Sequence, residues 1–264
     1  MKGLSISNIS WTVEQDVQVY TLMQKYGFTG LEIAPTRIFP EAPYDKLKEA
    51  EEWAKKLYDK YGFTIPSMQS IWFGRSEKLF GTDEERKSLV SYTKKAVDFA
   101  AAIDCRNLVF GCPRNRNIPA EADEQIAIEF FKEIGDYAAS KDTVIGMEAN
   151  PPIYNTNYIN DTLAALELIY KVDSKGFRLN LDLGTIIQNE EQIDELTGKV
   201  SLINHVHISE PGLKPVQERM LHQDLIRLLR KENYQGFLSI EMGKQEDVSI
   251  IEDTLKYIEG VYNG

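Results

Sequence analysis

The amino-acid sequence predicts an α/β protein, a single (β/α)8 TIM barrel over residues 1–264. Three observations lead there. Eight short β-branched or apolar runs recur along the chain, each followed by a segment of helical length, which is the pattern of a parallel sheet. No low-complexity or Pro/Gly-rich linker divides the 264 residues, close to the about 250 that eight βα units need when they close on themselves. The same helix-to-strand punctuation also recurs: KYGF at 25–28 and 60–63 and NYQGF at 233–237 each place a Gly just ahead of a strand-opening Phe. Gly there accepts the left-handed conformation that ends a helix. A doubly wound open sheet is the alternative topology.

The elements follow in order. LSISNIS (4–10) is the first strand, and Thr12 with Gln15 forms a capping box for the helix after it. LEIAP (31–35) and TIPSMQSI (64–71) are the second and third strands. Thr82 with Glu85 caps a helix over 83–103, and NLVFGC (107–112) is the fourth strand. A helix over 121–140 leads to VIGMEAN (144–150), and a helix over 158–172 leads to RLNLDLG (178–184). INHVHIS (203–209), a helix over 221–232 and FLSIEMG (237–243) complete the set.

Composition narrows the function. Apolar residues make up 42% and charged residues 27%, which is ordinary for a chain with a sizeable core. The net charge of −11 argues against general binding to nucleic-acid backbones, whose affinity comes from Lys and Arg neutralising phosphates. Apolar stretches such as AVDFAAAI (96–103) fall far short of the ~18 residues of a membrane span. The opening MKGLSISNISW lacks a signal-like apolar region, and two cysteines make no disulfide framework, so a cytoplasmic location is expected. A small-molecule ligand is the expected partner, and association into a homo-oligomer is compatible with the sequence.

The strongest signal stands at the carboxyl ends of strands five to eight, where barrel enzymes carry their chemistry. Glu148, Asp182, His207 and Glu241 occupy those ends. Strand alternation puts Val144, Gly146 and Glu148 on one face and Ile145 and Met147 on the other. Asn180 and Asp182 likewise oppose Leu179 and Leu181, and Ser239 and Glu241 oppose Leu238 and Ile240. The apolar face must meet the helices, so the acids point into the barrel. Three converging carboxylates repel one another unless a cation neutralises them. With one imidazole they form an O,O,O,N set suited to one divalent metal ion, Mn2+, Mg2+, Co2+ or Zn2+.

The runs MEANPP, NLDLGT, HVHISEP and LSIEMG resemble the sugar isomerase/epimerase superfamily built on the xylose isomerase-like barrel. Ketose 3-epimerases, hydroxypyruvate isomerase, inosose dehydratase and, more distantly, endonuclease IV belong to it. The resemblance implies a metal site at Glu148, Asp182, His207 and Glu241, with Glu148 and Glu241 also the catalytic acid–base pair. It implies a divalent-metal-dependent isomerase or epimerase of a small sugar, sugar phosphate or related hydroxy-ketone, working by proton transfer through a metal-stabilised ene-diolate. A dehydratase on the same site and a non-catalytic sugar-binding barrel are the alternatives. Two positions depart from the ketose 3-epimerase pattern: Thr185 where a substrate-binding His stands, and Leu213 where an Arg stands, with Lys214 beside it. Beyond His207 only His205 and His222 remain, too few for the trinuclear cluster of endonuclease IV.

Further residues are candidate substrate contacts. Arg114 and Arg116 in GCPRNRN (111–117) suit an anionic group, and salt bridges to nearby acids are their bland reading. Lys214 suits a phosphate or carboxylate, or is simply solvated. Trp11, Gln69, Trp72, Asn150 and Tyr154 stand near strand ends, where packing is the competing role, and His222, early in the helix after the seventh strand, reaches toward the site mouth or is a surface or helix-start His. His205 is expected to support His207 from one layer deeper, and Glu32 to add an inward polar group or pair with an Arg. Cys105 and Cys112 are expected to be inert. The stretch 73–82, between Phe73-Gly74 and Phe80-Gly81, is long enough for a lid.

Overall fold

A computed structural model describes residues 1–264. Seven parallel strands form one sheet: β1 (Gly3–Ser7), β2 (Gly30–Glu32), β3 (Leu108–Phe110), β4 (Ile145–Met147), β5 (Phe177–Asp182), β6 (Ile203–Ser209) and β7 (Phe237–Glu241). Their order is β2-β1-β7-β6-β5-β4-β3. The run expected as the third strand forms no regular ladder, yet it fills the gap between the two edges. Thr64 bridges Gly30, and Met68 bridges both Ile33 and Leu108, all in parallel. Eight extended segments therefore close the ring. Pro66 explains the broken ladder, because it has no N–H to donate. Ser70, at φ 56°, then turns the chain away from the sheet.

Helices surround the ring: α1 (Asp16–Lys25), the single turn α2 (Pro35–Ile38), α3 (Leu47–Tyr61), α4 (Asp83–Ala102), α5 (Gln125–Ser140), α6 (Thr162–Val172), α7 (Leu183–Asn189), α8 (Met220–Lys231) and α9 (Val248–Asn263). No helix is long and apolar enough to cross a membrane. Both capping boxes form, with Thr12 N–H donating to Gln15 Oε1 at 2.8 Å and Thr82 N–H to Glu85 Oε2 at 2.8 Å. The helix expected from 158 starts later, at Thr162. Ile159 at φ 57° breaks the approach, and the Asp161 side chain caps the helix by accepting from Ala164 N–H at 2.8 Å. Gly27 and Gly62 take the left-handed conformation expected of them (φ 70° and 76°). In NYQGF that role falls to Asn233 (φ 57°). Gly236 is required for space, since a Cβ there would lie 2.2 Å from Tyr234 Oη.

The two faces of each strand differ in chemistry. Leu4, Ile6, Leu31, Ile145, Met147, Leu179, Leu181, Val206, Ile208, Leu238 and Ile240 face the helices and join one continuous apolar cluster. The inner face carries Ser5, Ser7, Glu32, Asn107, Asn180, His205, His207 and Ser239, all buried. Barrel interiors are usually filled by branched apolar side chains. This one is polar. Gly146 makes room for it, because a Cβ there would sit 2.5 Å from Asn107 Oδ1.

Candidate active site and metal centre

The inward polar faces end in a cavity of about 180 Å³ at the carboxyl ends of the strands. Gln69, Glu148, Asn150, Tyr154, Asp182, Ser209, Glu210, Leu213 and Glu241 contribute to its wall, and no Lys or Arg does. A larger hollow of about 730 Å³ lies at the opposite end of the barrel, beside Lys2, Arg106 and Phe237. In barrels that end serves stability, so the smaller cavity is the candidate site.

Glu148, Asp182, His207 and Glu241 each offer a ligand atom, all within 4.8 Å of one another. His207, fully buried beneath the cavity, turns Nδ1 toward Glu148 Oε1 (2.9 Å) and Glu241 Oε2 (3.2 Å). Its Nε2 lies 2.9 Å from Glu32 Oε2. Period-two alternation accounts for the convergence, because Asp182 pairs in register with His207 and Ser209 with Glu241.

The carboxylates are braced unequally. Glu148 accepts from Asn180 Nδ2 at 3.0 Å and from Asn150 Nδ2 at 3.2 Å. Asp182 accepts from the Thr185 N–H at 2.7 Å and from the Ser209 hydroxyl. Glu241 has a single polar partner, His207, at 3.2 Å. Burial pushes Asp182 up to about 6, with the Glu148 charge adding to it, while His207 pulls the other way. Burial also pushes Glu241 up to about 7 against the pull of His207. Burial lowers the His207 imidazole, but the Glu241 and Glu32 carboxylates outweigh that and raise it well above its usual value.

This set fits a divalent cation. Three carboxylates and an imidazole nitrogen converge with no fixed Lys or Arg to balance them, and their ionisation is resisted where an ion would favour it. Glu148, Asp182, His207 and Glu241 would hold it.

Several expected contacts lie elsewhere. Gln69, Asn150 and Tyr154 reach the cavity. Arg116 does not. It is fully buried behind the wall, donating to the Glu148 carbonyl at 2.9 Å, Asn150 Oδ1 at 3.0 Å and the Ile159 carbonyl at 3.3 Å. Arg114 points to solvent. Lys214 lines a separate hollow of about 450 Å³ with Gln217 and Arg219, divided from the cavity by Glu210. His222 is buried between helices, with Nδ1 2.9 Å from Tyr257 Oη. Trp11 is core, its Nε1 donating to Asp16 at 2.7 Å, and Trp72 packs on Phe110 and Phe130. Glu32 is an inward, buried polar group, as one of its two expected roles has it, and it pairs with two imidazoles and not with an Arg. Burial pushes both thiols up to about 12, away from the reactive thiolate form. The 73–82 stretch is pinned: Leu79 N–H donates to the Asn115 carbonyl at 2.8 Å, and Phe80 packs edge-on against Tyr158. Asn180 and Ser209 are site residues that alternation alone could have flagged, since both stand two positions from a ligand-type side chain.

A family model described as the xylose isomerase-like TIM barrel matches residues 20–260. The chain belongs to this family. Solved structures agree in fold. The xylose isomerase-like barrel here is similar to the 3-keto-D-glucoside 4-epimerase YcjR from E. coli, with TM-score 0.78 and 18% identity over 98% of this chain and 100% of that one. It is similar to D-psicose 3-epimerase with D-tagatose from Clostridium cellulolyticum H10, with TM-score 0.78 and 15% identity over 99% of this chain and 98% of that one. A probable 3-DHS dehydratase, AsbF from Bacillus anthracis, gives TM-score 0.71 and 18% identity over 100% and 99%. No curated protein matches the sequence.

Proposed function

We propose that the protein is a divalent-metal-dependent isomerase or epimerase of a small hydroxy-ketone carbohydrate. One observation carries the reading: Glu148 and Glu241, on different strands, converge with Asp182 and His207 on a shared centre at the floor of a small cavity. About 180 Å³ lies below the ~300–1,000 Å³ of drug-sized sites and suits a single small sugar. A divalent ion, when bound, supplies Lewis-acid polarisation of a carbonyl. The protein's own groups move the proton. Glu241 has free acceptor capacity and is assigned removal of the proton α to the carbonyl. Glu148, fixed by two amides, is assigned its return from the other side. Return to the opposite face of the same carbon gives epimerisation, and return to the neighbouring carbon gives isomerisation.

A dehydratase is the second reading, and Thr185 and Leu213 favour keeping it. The Thr185 hydroxyl lies 2.8 Å from the Ala149 carbonyl and 2.9 Å from Asp182, so it is committed to the protein, and Leu213 presents an apolar surface. Two polar contacts of the ketose 3-epimerase pattern are therefore missing. The test is incubation of the Mn2+-loaded protein with a panel of ketoses in D2O, followed by mass spectrometry. Deuterium incorporation is expected, reduced at least ~10²-fold in Glu241→Gln. Loss of water from the product identifies the dehydratase. Neither change across the panel, with Mn2+ bound, overturns the isomerase reading.

A further inference from the structure

We propose that Glu32 is the positioning residue of the metal centre, holding the Nε2–H of His207 so that Nδ1 faces the three carboxylates. The inference deepens the metal reading above and rests on it.

Glu32 ends β2 and reaches the centre from across the ring, fully buried. Both of its oxygens are engaged. Oε2 lies 2.9 Å from His207 Nε2 and 3.1 Å from His205 Nε2, and Oε1 accepts from Gln69 Nε2 at 3.1 Å. Gln69 is itself anchored on the Ser7 hydroxyl at 2.6 Å. The chain Ser7–Gln69–Glu32–His207 thus connects β1, the irregular third segment, β2 and β6.

An imidazole has two ring nitrogens, and here each has its own surroundings. A carboxylate within hydrogen-bond reach of Nε2 keeps a proton on that nitrogen. Nδ1 then faces Glu148 and Glu241, the side on which a bound divalent ion would take its lone pair. Such a partner fixes the tautomer and ring orientation of a metal-binding histidine and raises its basicity. No Lys or Arg forms an ion pair with Glu32, and a buried carboxylate is unfavourable without a compensating role. His205 is 3.1 Å away but poorly aligned for a hydrogen bond, which leaves His207 as the partner whose geometry Glu32 controls.

Glu32, His205 and His207 also bring ligand atoms within 4.8 Å of one another, so the test must separate positioning from a second ion. The metal-free protein is titrated with Mn2+ by calorimetry. The expected result is one ion per wild-type chain and 10–100-fold weaker binding in Glu32→Gln. In a His207→Asn background the same change is expected to have little further effect, because its route to the ion is gone. Unchanged affinity in Glu32→Gln overturns the proposal while leaving the metal centre intact. So does a loss that persists undiminished in the His207→Asn background, or a stoichiometry of two that falls to one in Glu32→Gln. Wild type that binds no ion overturns both the proposal and the reading beneath it. Nitrogen NMR of Zn2+-loaded wild type needs no variant: a His207 proton on Nε2 is expected, and a proton on Nδ1 overturns the proposal.

Discussion

Arg116→Met tests whether the guanidinium behind the cavity wall holds the site together. Arg116 is wholly buried, and burial pulls its pKa down to about 10, so the fold keeps a costly cation for what it bonds to. Two of its bonds are short, 2.9 Å to the Glu148 carbonyl and 3.0 Å to Asn150 Oδ1, and the third, to the Ile159 carbonyl, is 3.3 Å. Hydrogen bonds from a charged donor contribute about 1.5–3 kcal/mol each, so the two short ones together are about 3–6 kcal/mol. Relief from burying the cation offsets part of this, while the freed oxygens remain buried and short of partners. A net loss of about 2–4 kcal/mol follows, or a melting temperature lower by about 4–7 °C. Asn150 also loses its anchor, and with it the amide that steadies Glu148 Oε2, so Mn2+ binding is expected to weaken. Differential scanning calorimetry and Mn2+ titration read the two effects. A fall of less than about 2 °C with unchanged Mn2+ affinity would refute the assignment.

Two further outcomes are expected. Because burial raises the folded pKa of Glu241 to about 7 and of Asp182 to about 6, their neutral forms favour the metal-free fold below about pH 4, and that contribution is lost as pH rises through 6 to 7. A bound ion requires the ionised forms, so the gain in melting temperature on adding Mn2+ should grow from pH 5 to pH 8, and a gain independent of pH would contradict it. Gly236→Ala should destabilise the fold by about 1–3 kcal/mol, since its Cβ would stand 2.2 Å from Tyr234 Oη and 2.6 Å from the Asn204 carbonyl; a melting temperature equal to wild type would show that Tyr234 yields freely.

The barrel and its convergent acids were legible because alternation is a local rule. Once RLNLD and FLSIE are strands, Asp182 and Glu241 must share a face with Asn180 and Ser239. Loop residues obey no such period. Arg116 looked like a substrate contact because it follows a strand on the catalytic side, but Cys112 at φ 45° and the turn Pro113–Asn115 fold the loop back and send the guanidinium inward. Lys214 and His222 were placed by sequence distance, which does not report the wall formed by Glu210 or the packing of α8 on α9. The third strand was legible as a position in the ring and not as a ladder, because Pro66 withholds one donor. The partner of Glu32 lies 175 residues away in sequence, and no spacing encodes it.

The division of labour between the two faces of each strand has a consequence for descent. Stability comes mostly from the outward side chains and the helices they meet, while the inward ones, already polar, contribute little apolar burial. An inward position can therefore change its chemistry at small cost to folding, provided its hydrogen bonds are met. The apolar outer face and the polar inner face can therefore be varied largely independently of one another.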